Sequence, residues 1–169
     1  MTKHQTVDDA GAGQVDPVRS ANMRAIRSKD TGPEVFVRKL LFARGFRYRL
    51  QRRDLPGTPD IVLPKYRVAV QIHGCFWHHH PGCRFAALPG TRQDFWLTKL
   101  ARNVERDWEN TRRLQELGWR VLIVWECACL KRHADTLAVM MAEFIRGDDG
   151  FREIGRDEVQ IRTGADNAA

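Results

Sequence analysis

Apolar residues along the chain recur in short periodic segments separated by glycine, proline and charged clusters. Phe36, Val37, Leu40 and Leu41 follow helical spacing after Thr31-Gly32-Pro33-Glu34, which places proline in a first turn and a carboxylate at its positive end. Gly45 ends that helix, and Phe46–Leu50 then alternates apolar and basic residues as a half-buried strand does. Two more strands are expected at Asp60–Leu63 and Tyr66–Ile72, joined tightly through Pro64-Lys65, with Gln71 the polar break in the second. Thr91 with Asp94 three residues on reads as a capping box opening a long helix. Its apolar stripe runs Leu97, Leu100, Val104, Trp108, Leu114, Leu117 and stops at Gly118. Trp119–Trp125 is continuously apolar except for Arg120, the mark of a central buried strand, and Leu137–Ile145 predicts a last helix. Trp108, Trp119 and Trp125 are expected in the core. This order predicts an α/β fold, a mixed β-sheet with helices packed on its faces. No glycine-rich turn follows the first strand, which excludes a Rossmann domain.

Three segments are expected: a tail over residues 1–17, a single domain over 18–147 and a polar tail over 148–169. Within the domain, residues 18–27 read as an arm or short helix carrying Arg19, Arg24 and Arg27. The 169 residues carry a net charge of +7, unevenly spread. From residue 17 to 53, eleven Lys/Arg face two acids, whereas from Glu143 onward seven acids face four arginines. A basic first third suits a polyanion such as nucleic acid. No apolar run approaches the ~20 residues of a membrane span, and no secretion signal opens the chain, so a cytoplasmic location is expected. Cysteines in that setting stay reduced and favour metal over disulfides.

The chemistry concentrates in His73-Gly74-Cys75-Phe76-Trp77-His78-His79-His80-Pro81-Gly82-Cys83, which holds four of the six histidines and two of the four cysteines. Cys75, His80 and Cys83, closed by Cys127 beyond the buried strand, make a Cys3His set suited to structural Zn2+. His79 competes with His80, and Cys129 with Cys127. The other reading is unligated buried thiols beside a solvent-facing histidine patch. Upstream, Asp60 opens a strand, and Gln71 and His73 end the next. A hard carboxylate suits Mg2+. A bound divalent ion neutralises a scissile phosphodiester and activates water, and an imidazole such as His73 or His78 can take the proton. Phe76-Trp77 sits on a polar loop, as wedges that part base steps do, and Trp96 can join them. A small satellite core is the other reading of those rings.

The blocks Asn22-Met23-Arg24-Ala25-Ile26, Pro59-Asp60, His73 to His78, Thr91-Arg92 with Phe95-Trp96, Asn103-Val104-Glu105-Arg106-Asp107 and Leu114 to Cys127 together resemble the very-short-patch repair (Vsr) endonucleases. The resemblance covers roughly residues 18–127. It implies a restriction-endonuclease-like fold with structural zinc, and a Mg2+-dependent nick 5′ of the thymine in a T·G mismatch left by deaminated 5-methylcytosine. It implies that Asp60 binds Mg2+ with the main-chain carbonyl of Ile72, that His78 is the general base with His73 assisting, and that Glu34 supports the hydrated metal. It further implies Cys75, His80, Cys83 and Cys127 as zinc ligands, and Phe76, Trp77 and Trp96 as intercalating rings. Arg19, Asn22, Met23, Arg24 and Arg27 would lie along double-stranded DNA. The implied protein is a monomer that works with the MutL mismatch-repair protein and a repair DNA polymerase. This chain departs from the pattern at Ile72, where some members carry threonine. Pro81-Gly82 makes the ligand spacing one residue longer, and Cys129 is an extra thiol. The alternatives are a restriction-like endonuclease cutting unmismatched or methylated DNA, and a non-catalytic zinc-stabilised DNA-binding module.

Overall fold

Helix α1 (Gly32–Ala43) begins as its Pro33 and Glu34 dictate and buries Val37 and Leu41. Its end is a Schellman turn: Gly45, at φ 81°, donates to the Phe42 carbonyl and Phe46 donates to Leu41. Phe46 is thereby spent on the helix end and the core, so strand β1 shrinks from the expected five residues to Arg49–Leu50. β2 (Ile61–Leu63) and β3 (Val68–His73) follow, joined by a 3-10 turn over Pro64–Tyr66 with Arg67 at φ 54°. The long helix α2 (Gln93–Glu116) leads to β4 (Arg120–Trp125), and α3 (Ala134–Arg146) follows. The computed structural model describes residues 29–166. The expected tail over 1–17 and the arm bearing Arg19, Asn22, Met23, Arg24 and Arg27 lie outside the described residues.

The sheet order is β1-β2-β3-β4-β5, antiparallel from β1 to β3 and parallel from β3 to β5, which bears out the mixed α/β sheet. Strand alternation divides the side chains between two cores. Ile61, Leu63, Val68, Val70, Leu122 and Val124 meet α1 and α3 on one face. Val62, Ala69, Val121, Ile123 and Trp125 meet Leu114 of α2 on the other. Arg120, the charge in the apolar strand, leaves the core: its guanidinium donates to the carbonyls of Phe144, Ile145 and Gly147 and caps the C-terminal end of α3.

Three expectations need correction. The segment expected as a polar tail from residue 148 carries two elements among the described residues: β5 (Phe151–Ile154) pairs with β4, and α4 (Arg156–Asp166) buries Val159 in the core. The strand is four residues long, with charge at its centre and Gly150 and Gly155 at its ends, too brief for periodicity to register. The capping box at Thr91 does not form: Arg92 is the N-cap, at φ 54°, without a side-chain cap. The stripe on α2 is narrower than expected, since Leu97, Trp108 and Leu117 are about half exposed and Leu100, Thr111 and Leu114 are buried. Trp108 is therefore not core; it leans over Phe151 of β5, with ring centroids 5.7 Å apart. From Gly32 onward the chain is one compact unit. Among the described residues no helix is long and apolar enough to cross a membrane.

Candidate active site

The sheet end that precedes β2 and follows β3 brings the predicted catalytic residues together. Asp60, one residue before β2, accepts a hydrogen bond from the Ile72 backbone N–H at 2.8 Å. Burial pushes its carboxyl up to about 6 and the nearby charge of Glu34 adds to this, against the Ile72 hydrogen bond and the pull of Arg38 and His78. Glu34 is itself buried and ion-paired with Arg38 at 2.8 Å. Asp60 and the Glu34–Arg38 ion pair thus share a partly desolvated corner of the sheet end.

His73 ends β3, buried against the edge of Trp125 with centroids 5.3 Å apart. His78 stacks on it at 3.9 Å and 7°. Burial, then the neighbouring His78, pulls His73 down to about 3, so it is a neutral imidazole. Asp107 of α2 lies 2.5 Å from His78 Nδ1. Burial alone would raise the Asp107 carboxyl, but the His78 hydrogen bond and the charges of His78, His73 and Arg106 outweigh it and hold the pKa low. An ionised Asp107 accepts from Nδ1–H of His78 and fixes the tautomer that leaves Nε2 free as a base. The stack borders a cleft of about 90 Å3 also lined by Trp108, Thr111 and Glu153.

Asp107 was not among the expected site residues. Its signal was available, because it stands seven residues after Leu100 and seven before Leu114. Those two leucines mark the buried face of α2, and a carboxylate on an apolar helix face needs a partner.

The second cluster is metal-like. Donor atoms of Cys75, His80, Cys83 and Cys127 lie within 4.8 Å of one another. The sulfurs of Cys75 and Cys127 are 3.6 and 3.5 Å from His80 Nδ1. A Cys75 thiol hydrogen bond holds Cys127 down to about 6, and Cys75 is pushed up in return. His79 is exposed, at φ 49°, and outside the cluster. Cys129 is also outside it, its thiol 3.7 Å from the Trp125 carbonyl. The segment expected as a tail completes this cluster. The Arg156 N–H donates to Cys127 Sγ at 3.4 Å, and a Cβ on Gly155 would stand 3.1 Å from His80 Cε1. Trp125 spans both clusters: His80 stacks on its ring at 4.0 Å, and its indole N–H donates to Glu153 at 2.9 Å.

Phe76, Trp77 and Trp96 meet as one half-buried cluster. Phe76 is 5.1 Å from Trp77 and 5.3 Å from Trp96, all edge-on. Lys99 Nζ lies 5.5 Å from the rings of both tryptophans, and Asn103 donates to the Trp77 carbonyl at 3.0 Å.

Residues 15–84 match the family model described as DNA mismatch endonuclease Vsr. The chain is 45% identical to the DNA mismatch endonuclease Vsr of Escherichia coli K12 over 146 residues, 85% of this chain and 93% of that protein. The chain belongs to the Vsr family. It is a DNA endonuclease of that family, which removes the reading as a non-catalytic binding module. Other relatives are nicking enzymes. One from Xanthomonas oryzae pv. oryzae is 51% identical over 105 residues, 62% of this chain and 76% of that enzyme. Another, from Lentzea aerocolonigenes, is 46% identical over 144 residues, 82% of this chain and 84% of that enzyme. In this Vsr-family chain the imidazole stack and three of the four residues of the metal-like cluster lie in one eleven-residue segment, His73 to Cys83.

Proposed function

We propose that this chain nicks double-stranded DNA on the 5′ side of the thymine in a T·G mismatch, by Mg2+-dependent hydrolysis. The observation that carries the chemistry is the His73–His78–Asp107 array beside a buried, high-pKa Asp60. Asp60 and the Ile72 carbonyl fit a hard divalent cation, because the carboxylate is desolvated and repelled by Glu34. When bound there, Mg2+ supplies charge neutralisation at the phosphate and a more acidic water. His78, oriented by Asp107, takes the proton from the attacking water. Neutral His73, stacked beneath it, keeps its position and adds no positive charge of its own.

Cys75, His80, Cys83 and Cys127 fit Zn2+. Tetrahedral bonds of about 2.3 Å to sulfur and 2.0–2.1 Å to nitrogen require S···N separations of about 3.5 Å, and those present are 3.5 and 3.6 Å. Such a site needs no open position and pins the catalytic loop to β4. Phe76, Trp77 and Trp96 form the wedge beside the mismatch, and Arg19, Asn22, Met23, Arg24 and Arg27 contact the DNA. In the same reading the chain acts as a monomer in the cytoplasm, with the MutL mismatch-repair protein and a repair polymerase as partners.

The test incubates the protein and Mg2+ with labelled duplexes carrying T·G, A·C or no mismatch, and maps the nicks. A single nick 5′ of the mismatched thymine, absent from the other duplexes, is expected. Equal cleavage of the matched duplex would replace this reading with a restriction-like one.

A further inference from the structure

Gln71 is a polar residue in a strand whose other members, Val68 to Ile72, are apolar. It is buried, 7% exposed, and its Oε1 has no hydrogen-bond partner. An orphan acceptor in a sheet is unfavourable, and leucine or valine would serve packing better beside Ala69 and Ile123. Its place in the ladder suggests why it is there. The pairs Ile61↔Val70 and Val62↔Ala69 put Gln71 opposite Asp60 when carried one residue further, and directly opposed residues have Cβ atoms about 5 Å apart. Alternation sends Gln71 to the same face as His73, two residues on, while Ile72 turns to the other core.

The geometry points to the Gln71 amide oxygen as a further protein ligand of the divalent cation at Asp60, an inference that rests on the cation site proposed above. Amide oxygens are hard donors of the kind such ions take. A neutral amide also coordinates without adding to the repulsion between Asp60 and Glu34. On that register Gln71 stands across the sheet from Asp60 and two residues before His73, where an amide ligand would orient the ion relative to the imidazole.

Direct binding tests this, with Mn2+ as the probe read by electron paramagnetic resonance. The samples are the full zinc-loaded chain with a mismatch duplex made uncleavable at the nick site. Gln71→Leu and the near-isosteric Gln71→Met should each weaken Mn2+ binding at least tenfold. Gln71→Glu should tighten it, and Asp60→Asn should abolish it. Circular dichroism and zinc content report whether each variant is folded. Mn2+ affinities within twofold of wild type in the leucine and methionine variants, with binding lost in Asp60→Asn, would overturn the role of Gln71 and leave the Asp60 site standing. If neither apolar variant folds, a glutamate variant that binds no tighter overturns it equally. Retained binding in Asp60→Asn, or none in wild type at millimolar Mn2+, would overturn the underlying cation site as well.

Discussion

Replacing Asp60 by asparagine removes one negative charge from the corner it shares with Glu34. In the folded chain the Asp60 carboxyl titrates at about 6, against 3.8 for the ordinary group, chiefly through burial. Each tenfold change in proton affinity corresponds to about 1.4 kcal/mol, so holding Asp60 ionised at pH 7.5 disfavours the folded state by about 3 kcal/mol. Asparagine keeps an oxygen to accept from Ile72 N–H but buries an amide of its own, so a net gain of about 1–3 kcal/mol is expected. For a chain of this size that is a rise in melting temperature of about 5 °C.

The pH dependence gives the sign. Between about 4 and 6 the unfolded chain has released the Asp60 proton while the folded chain retains it, so this group's contribution to stability falls as pH rises through that window. Wild type and Asp60→Asn should therefore differ most above pH 6 and converge near pH 4. The assay is thermal unfolding of both proteins from pH 7.5 to 4.5, without chelator so that the Cys/His cluster stays loaded. Millimolar Mg2+ should raise the melting temperature of wild type alone, and Asp60→Asn should show no nicking. A variant less stable than wild type at pH 7.5, or an advantage independent of pH, would refute the reasoning.

Asp107→Asn removes the acceptor that fixes the His78 tautomer. Turnover should fall by roughly 10^2–10^4, the usual range for a positioned base, with duplex affinity unchanged; weakened binding at normal turnover would count against it. Gly155→Val should displace His80, because the added Cβ would stand 3.1 Å from its ring. Elemental analysis should then find less than one metal ion per chain, and full occupancy would mean that Gly155 does not set the cluster. Phe76→Ala should reduce discrimination of T·G over T·A duplexes by about tenfold, since parting a base step costs a few kcal/mol. An equal loss of affinity for both duplexes would make the ring a general contact.

What the sequence revealed and what it hid divide along a physical line. β3, α2, β4 and α3 were legible because each is long enough for its apolar period to repeat, and their packing on the two sheet faces follows. Grouping Cys75, His80, Cys83 and Cys127 was legible because two sulfurs and an imidazole sit on one short loop. The choice between His79 and His80 was not, because it turns on a left-handed backbone at His79, φ 49°, which leaves that ring exposed while His80 joins the cluster. β5 was hidden because a four-residue strand draws its stability from the ladder with β4, which local sequence does not record. Asp107 was legible only from its place on the face of its helix that buries Leu100 and Leu114, because nothing in its immediate neighbours marks it.

The missed C-terminal elements change how the site is understood. His73 and His78 alternate along one loop with Cys75, His80 and Cys83, so the two clusters cannot move independently. They also share a wall, since one face of Trp125 carries the His80 ring and His73 meets that indole edge-on. The indole N–H is held in turn by Glu153 of β5, and the α4 N-terminus donates to Cys127. A displacement at β5 therefore reaches His73 through a single side chain. The positions of the stacked imidazoles depend on β5 and α4, which follow them in the chain by more than seventy residues and are joined to their loop by the sheet, by that indole and by the contacts of Gly155 and Arg156 with the Cys/His cluster.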